Sequence, residues 1–299
     1  RDSISTIEWT PVCNPNYGPN EELADNAYSE AVRLNAEWFI NSGLLRSTDG
    51  SEGIMEGFRS GAGFKVDGDQ RVRNSVRADC NGETVAALAL AAELLDNEEY
   101  KNIAYNMMDW LLNESELANG DRANEESGQY GLLSWHEGAI DQYYGDDNAR
   151  AILGLILGAS ALDTDDFDER ILEAIMANFR TTGSYGYRGN MIRGEKLDSN
   201  GWEYYYNRTN ENYAPHFEAL LWACYLWAYD KTDYEPLLER TCTGISMMME
   251  AYVETMKGDL DDGKGEWTST NGIQQERAKM ILPLAWLVRI DPSEQHINW

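Results

Sequence analysis

The chain has 299 residues, a formal net charge of −28 and a pI near 4.3, a balance that excludes a basic nucleic-acid face and argues against anionic membrane surfaces. With 42% hydrophobic and 11% aromatic residues it suits a globular protein with a sizeable core, and no apolar run reaches the roughly 18 residues of a membrane span. The four cysteines show no CxxC spacing, so neither a zinc site nor any other metal-ligand set is expected, and no cofactor motif is present.

Residues 1–20 hold Pro11, Asn14-Pro15 and Gly18-Pro19 and read as an irregular lead-in. A single helical domain is expected over 21–299. Leu23, Ala27, Ala31, Leu34 and Trp38 fall at helical spacing, and Asn41-Ser42-Gly43 stops that helix. A Gly- and Arg-rich loop follows over 43–80, long enough to suggest function. Asp79-Cys80-Asn81-Gly82-Glu83 then opens an apolar helix, and an amphipathic one runs from Tyr100 to Leu112. The next long loop, 113–146, carries Trp135, His136 and Glu137. It feeds Tyr143-Tyr144-Gly145-Asp146-Asp147-Asn148-Ala149-Arg150 and an apolar helix to about Leu162.

Asp163 to Asp166 are expected to cap an outer helix at about 167–179. The loop 180–212 holds Trp202 and three successive tyrosines, and short hairpins are expected within 60–75 and 180–195. Pro215-His216-Phe217-Glu218 opens a third apolar helix, and an outer helix with Met247-Met248-Met249 follows. A last loop with Trp267 leads into Gln274-Gln275-Glu276-Arg277 and a fourth apolar helix, kinked at Pro283.

The order is apolar helix, short turn, amphipathic helix, long aromatic loop, repeated. This predicts an all-α fold, an α/α toroid of repeated helical hairpins, barrel-like and incomplete, with the apolar helices inside. All long loops then meet the inner-helix N-termini at one end. A polar pocket is expected there.

Two readings of the acids stand side by side. In one, an Asp caps its helix and the other pairs with Arg150. In the other, the acids do chemistry: glycoside hydrolysis needs one protonated and one ionised carboxyl group, and a helix N-terminus favours the ionised one. Asp146 and Asp147, about 100° apart on a helix, are not expected to point into one pocket together. Trp135, Tyr144, Trp202 and Trp267 are candidates to stack on sugar rings or simply to pack loops. Arg77, Arg150 and Arg277 are candidates to clamp a substrate carboxylate or to pair with local acids. His136, His216, Glu83 and Glu276 are further candidate contacts, with a structural role as the alternative for each histidine.

Several stretches together carry a family resemblance: Asp79-Cys80 with Glu83, Tyr143 to Arg150, Ala177-Asn178-Phe179-Arg180-Thr181-Thr182-Gly183, and Thr270 through Arg289. They resemble bacterial carbohydrate-active proteins of the six-hairpin glycosidase-like (α/α)-barrel superfamily, which includes unsaturated glucuronyl hydrolases, related β-glucuronidases and α-mannanases. The chain departs from that pattern in having about eight helices, four short of a six-hairpin ring. The resemblance implies a hydrolase acting on an oligosaccharide, with uronic-acid substrates among the options. It also implies acid/base roles for Asp79 with Asp146 or Asp147, because two aspartates at the starts of successive inner helices carry the chemistry in the glucuronyl hydrolases. The alternative is a glycan-binding or self-assembling extracellular module without turnover. Two sequons, at Asn113 and Asn207, and the acidic balance lead us to expect an extracellular or periplasmic location; Cys13 and Cys80, which both precede helices, are candidates to pair if that compartment is oxidising.

Overall fold

The computed structural model describes residues 20–59, 71–255 and 273–299. The first described elements are α1 (Ala27–Asn41), β1 (Met55–Phe58), β2 (Val72–Val76), α2 (Ala78–Leu95) and α3 (Glu98–Asp109). Then come β3 (Gln142–Tyr144), α4 (Gly145–Leu162), α5 (Asp168–Arg180), β4 (Met191–Arg193), α6 (Gly194–Asn200) and α7 (Trp202–Asn207). The chain continues with α8 (Pro215–Thr232), α9 (Glu235–Thr255), α10 (Ile273–Ile290) and α11 (Glu294–Asn298). The fold is all-α, an α/α toroid arrangement of hairpins. Among the described residues α2, α4, α8 and α10 form an inner arc, with α2 against α4, α4 against α8 and α8 against α10. The outer helices α3, α5 and α9 each pack on the inner helix that precedes them.

The inner helices are one motif repeated. Each is 18 residues long and is followed at once by an aspartate: Asp96, Asp163, Asp233 and Asp291. The first three of these adopt the left-handed conformation, with φ of 53°, 53° and 54°. A short polar side chain tolerates that conformation and lets the backbone turn out of the helix. The expected role of Asp163 as a cap for the following helix is therefore corrected. Asp163 ends α4, and Phe167 stands at the start of α5 without a side-chain cap.

The fourth residue of each inner helix holds neighbouring backbone, a loop segment in three cases and the first turn of α8 in the fourth. Asn81 accepts from Ile54 N at 2.9 Å and donates to Ile54 O at 3.3 Å. Asn148 does the same with Leu133, at 2.9 and 2.7 Å. Glu218 accepts from Arg188 N at 3.0 Å and Gly189 N at 2.7 Å, and Glu276 accepts from His216 N at 2.6 Å. Buried backbone groups must find partners; Asn81, Asn148 and Glu218 supply them to segments that precede the inner helices, and Glu276 to an N–H of the first turn of α8.

The core lies between the two helix layers. Val85, Leu88, Met107, Met108, Ile152, Leu155, Phe179, Trp222, Tyr225 and Met248 are all buried in it, each large side chain contributing about 1.5–3 kcal/mol. Helices α2 and α4 approach closely at two glycines. A Cβ on Gly154 would lie 2.1 Å from Gly82 O, and one on Gly82 would lie 2.6 Å from Ala151 O. The expected hairpin at 60–75 is wider than predicted: β1 pairs β2 in antiparallel register from Met55↔Val76 to Phe58↔Val72. The one expected at 180–195 is not a local hairpin, because β4 pairs with β3 from Gln142↔Arg193 to Tyr144↔Met191. That pairing ties the loop before α4 to the loop before α8. No described helix is long and apolar enough to cross a membrane.

Candidate active site

The N-termini of α2, α4, α8 and α10 meet at one end of the arc, and the second residue of each of the first three is Asp79, Asp146 and His216. None of the acids caps its helix; Arg77 and Tyr144 hold the N-cap positions, without side-chain cap bonds. Asp79, Asp146 and Asp147 lie within the first turns and are 2%, 4% and 3% exposed. Buried carboxyl groups need partners, and two arginines supply them. Arg77 Nε and Nη2 donate to Asp79 at 3.0 and 2.9 Å, and Nη2 also bonds Asp147 Oδ1. Arg150 Nη2 bonds Asp79 Oδ2, reaches Asp147 Oδ1 at 3.1 Å and lies 3.7 Å from Asp146 Oδ2. Glu56 of β1 accepts from Arg77 at 3.4 Å and from Arg73 at 2.6 Å, and Glu83 stands 3.8 Å from Arg150 Nε.

The neighbouring aspartates face different sides. Asp147 turns toward α2 and its arginine-bound carboxyl, whereas Asp146 turns toward α8, where His216 Nε2 lies 3.0 Å from its Oδ2. The expected 100° divergence sends each to a different helix, yet both remain in one cluster, because Arg150 spans them. Their electrostatics diverge too. Burial, the charges of Asp79 and Asp146, and a hydrogen bond with Asp79 push Asp147 up to about 7. Burial raises Asp146 as well, but the hydrogen bond and charge of His216, with Arg150 and Lys279, hold it below the ordinary carboxylate range. A pair of carboxyl groups pushed apart in this way is the usual signature of divided acid and base roles.

Lys279, one turn along α10 from Glu276, completes the wall. Its Nζ contacts His216 Nδ1 and lies 3.5 Å from His216 O, and burial lowers its pKa. Burial raises Glu83 and Glu276. Among the described residues Asp146 Oδ1 and Glu276 Oε1 are buried without a hydrogen-bond donor, and Arg150 Nε is buried without an acceptor.

Aromatic rings line the approach. Trp135 stacks edge-on to His136 at 4.4 Å and to Tyr144 at 5.1 Å, and Tyr144 lies parallel to Phe217 at 6.4 Å. The Arg77 guanidinium lies 5.9 Å from the Trp135 ring, and Arg77 bridges to His136 through its backbone.

The structure thus gathers Asp79, Asp146, Asp147, Arg77, Glu83, Trp135, His136, Tyr144, Arg150, His216 and Glu276 at one end. Trp202 is not among them; it heads α7 and packs on Tyr206 at 5.9 Å. Arg277 lies on the exposed side of α10, one helical step away from the buried Glu276. Trp267 and Cys13 lie outside the described residues; Cys80 is a free, partly buried thiol, pushed up to about 12 by burial and by the charge of Asp79. Sequence reasoning missed Glu56, Phe217, Glu218 and Lys279. The fourth-residue repeat pointed to Glu218, and the i, i+3 spacing from Glu276 pointed to Lys279. Glu56 gave no signal, since only the β1–β2 pairing carries it to Arg77.

A cavity of about 940 Å³ lies at the opposite end, among Leu153, Leu157, Leu172, Trp227 and Trp286. Its rim also carries Asp163, Asp165, Asp168 and Lys231, and none of the acids gathered at the inner-helix N-termini lines it.

No family model and no curated protein matches the chain. Among solved structures it is similar to the crystal structure of a D-mannose isomerase, with a TM-score of 0.47 and 11% identity over 93% of this chain and 85% of that one. It is also similar to a novel alpha-amylase from Clostridium perfringens, with a TM-score of 0.38 and 14% identity over 88% of this chain and 83% of that one. Both are distant likenesses.

Proposed function

We propose that this protein is a glycoside hydrolase acting on an oligosaccharide, with Asp147 as the proton donor. The observation that carries the reading is the Asp147 carboxyl group, held up to about 7 beside a neighbour held low. A general acid that must keep its proton near neutrality needs that environment. The Trp135, Tyr144 and Phe217 rings beside it offer faces on which sugar rings stack.

In this reading Asp147 gives its proton to the glycosidic oxygen as the bond to the anomeric carbon breaks. A carboxylate takes a proton from the water that completes hydrolysis. Asp79 is the partner that keeps the proton on Asp147. The Arg77 Nη2 atom already stands between those two groups, so Glu83 is the carboxylate assigned to the incoming water. Its side chain is 53% exposed and faces the same Arg150 guanidinium as Asp147.

The test is incubation of the full chain with a glycan panel, followed by mass and reducing-end detection. Product release that falls to background in both Asp147→Asn and Glu83→Gln supports the assignment, and release unchanged in Asp147→Asn overturns it. A second reading, a glycan-binding module without turnover, is favoured by the arginines that already neutralise Asp79 and Asp147. It predicts measurable binding with every glycan left intact.

A further inference from the structure

We infer that the cavity toward the C-terminal ends of α4 and α8 is a second binding site, one that takes a small amphiphilic cation: an apolar body carrying an ammonium group. The site shares no residue with the acid cluster, so it stands or falls apart from the hydrolase reading. The cavity exists because α4 and α8 diverge. At their N-termini the two helices touch. A Cβ on Gly145 would lie 2.7 Å from Phe217 O, and Cys224 Sγ lies 3.7 Å from Ala149 O. Further along, contact gives way to about 940 Å³ of space bounded by Leu153, Ile156 and Leu157 of α4, Trp227 of α8, and Leu282 and Trp286 of α10. The space is open to solvent, since Leu157 and Leu282 on its wall are 48% and 39% exposed. Protein interiors leave few voids larger than a water molecule. A space of this size, walled by aliphatic and aromatic side chains with a few polar groups, has the dimensions of a small-molecule site.

The rim sets the charge of the ligand. Among the described residues that line the cavity, Asp163, Asp165 and Asp168 are acidic and Lys231 is basic. Lys231 Nζ lies 3.7 Å from Asp230, which Arg289 also approaches at 3.7 Å while its guanidinium stands 5.0 Å from the Trp286 ring. With Asp230 and Arg289 counted, four carboxylates face two cations. The three rim acids are exposed and, among the described residues, form no ion pair. Helices α4 and α8 end at Leu162 and Thr232, beside this rim, and helix C-termini favour positive charge. Tryptophan rings attract ammonium groups as well. An anionic ligand meets repulsion here, and so does a second copy of a chain whose net charge is −28.

The experiment is calorimetric titration of the full chain with probes that share an eight-carbon tail: octyltrimethylammonium, octanol and octanoate, all below their aggregation concentrations. Octyltrimethylammonium is expected to bind at least about tenfold more tightly than octanoate at low salt, with octanol between them, because complementary charge adds to the common tail. The gap is expected to narrow at about 1 M salt, where screening shortens the reach of the rim charges. Leu157→Trp fills the cavity from a half-exposed position and is expected to abolish binding of all three probes. The triple variant Asp163→Asn, Asp165→Asn, Asp168→Asn is expected to keep octanol binding and lose the preference for the cation; asparagine tolerates the left-handed backbone at position 163. Octanoate binding as tightly as octyltrimethylammonium to the wild-type protein overturns the inference, as does absence of binding by every probe. Binding unchanged in Leu157→Trp overturns it too, because the probe then sits elsewhere on an acidic surface. If Leu157→Trp does not fold, the triple variant decides: an undiminished preference for the cation overturns the inference.

Discussion

His216 Nε2 lies 3.0 Å from Asp146 Oδ2, across the groove between the first turns of α8 and α4. The two occupy the same position in their helices, so the repeat replaces an aspartate by a histidine and thereby gives Asp146 a partner that Asp79 finds in arginine. The other ring nitrogen faces Lys279. An ammonium group has donors and no acceptor, so Nδ1 carries the lone pair and Nε2 the hydrogen that points at Asp146.

That arrangement predicts the imidazole tautomer. Nitrogen-15 spectra of the wild-type protein at neutral pH are expected to show His216 with an unprotonated Nδ1 and a protonated Nε2. Lys279→Met removes the donor that favours this form, and a mixture of the two tautomers is expected. A spectrum unchanged by the substitution would show that Asp146 alone sets the tautomer.

Asp147 predicts the pH profile. If Asp147 is the proton donor proposed above, the rate is expected to fall above about 7, the value to which burial and its acidic neighbours push it. Asp147→Asn is expected to cost about 10²–10⁴-fold in rate and to abolish that limb in whatever activity remains. Stability has a matching sign. Between the ordinary carboxyl range and about 7 the unfolded chain releases a proton that the folded chain keeps. Folding is therefore weakened as pH rises through that window. Thermal melts of Asp147→Asn are expected to show a flatter pH dependence there than those of the wild type.

Gly154→Ala is expected to destabilise the protein by about 3 kcal/mol or more. The added Cβ would lie 2.1 Å from the Gly82 carbonyl oxygen. Backbone cannot swing aside as a side chain can, so α2 and α4 must separate. The same separation would pull Asp79 from Asp147. Denaturant unfolding measures the first effect. An upward shift of the alkaline limb of the rate profile would not accompany it, since losing Asp79 lowers Asp147; a downward shift is expected.

Asn148→Ala is expected to cost about 1–3 kcal/mol, the penalty for leaving buried backbone groups unpaired. The affected groups are Leu133 N–H and C=O, at 2.9 and 2.7 Å from the amide. Because Leu133 anchors the loop that carries Trp135 and His136, hydrogen exchange should speed up there more than in α9.

The sequence by itself determined the helical repeat and the end of the molecule where the acids collect. Apolar periodicity, turn residues and long aromatic loops are local signals, and each survives without knowledge of what packs where. The placement of Asp79, Asp146 and His216 at equivalent helix starts follows from the same periodicity, since inner helices in register bring their first turns to one end. What only the tertiary structure decided is which groups face each other. Arg77 and Arg150 read equally well as substrate clamps or as partners of local acids, and the close α2–α4 approach at Gly82 and Gly154 is what brings Asp79 and Asp147 onto the same two guanidinium groups. Arg277, Trp202 and Glu56 show the same limit. Helical phase turned the first to the exposed side, α7 carried the second away, and strand pairing carried the third to Arg77 from 21 residues earlier in the chain. Charge and hydrogen bonding act over a few ångströms, whereas sequence spacing fixes neighbours only within one element.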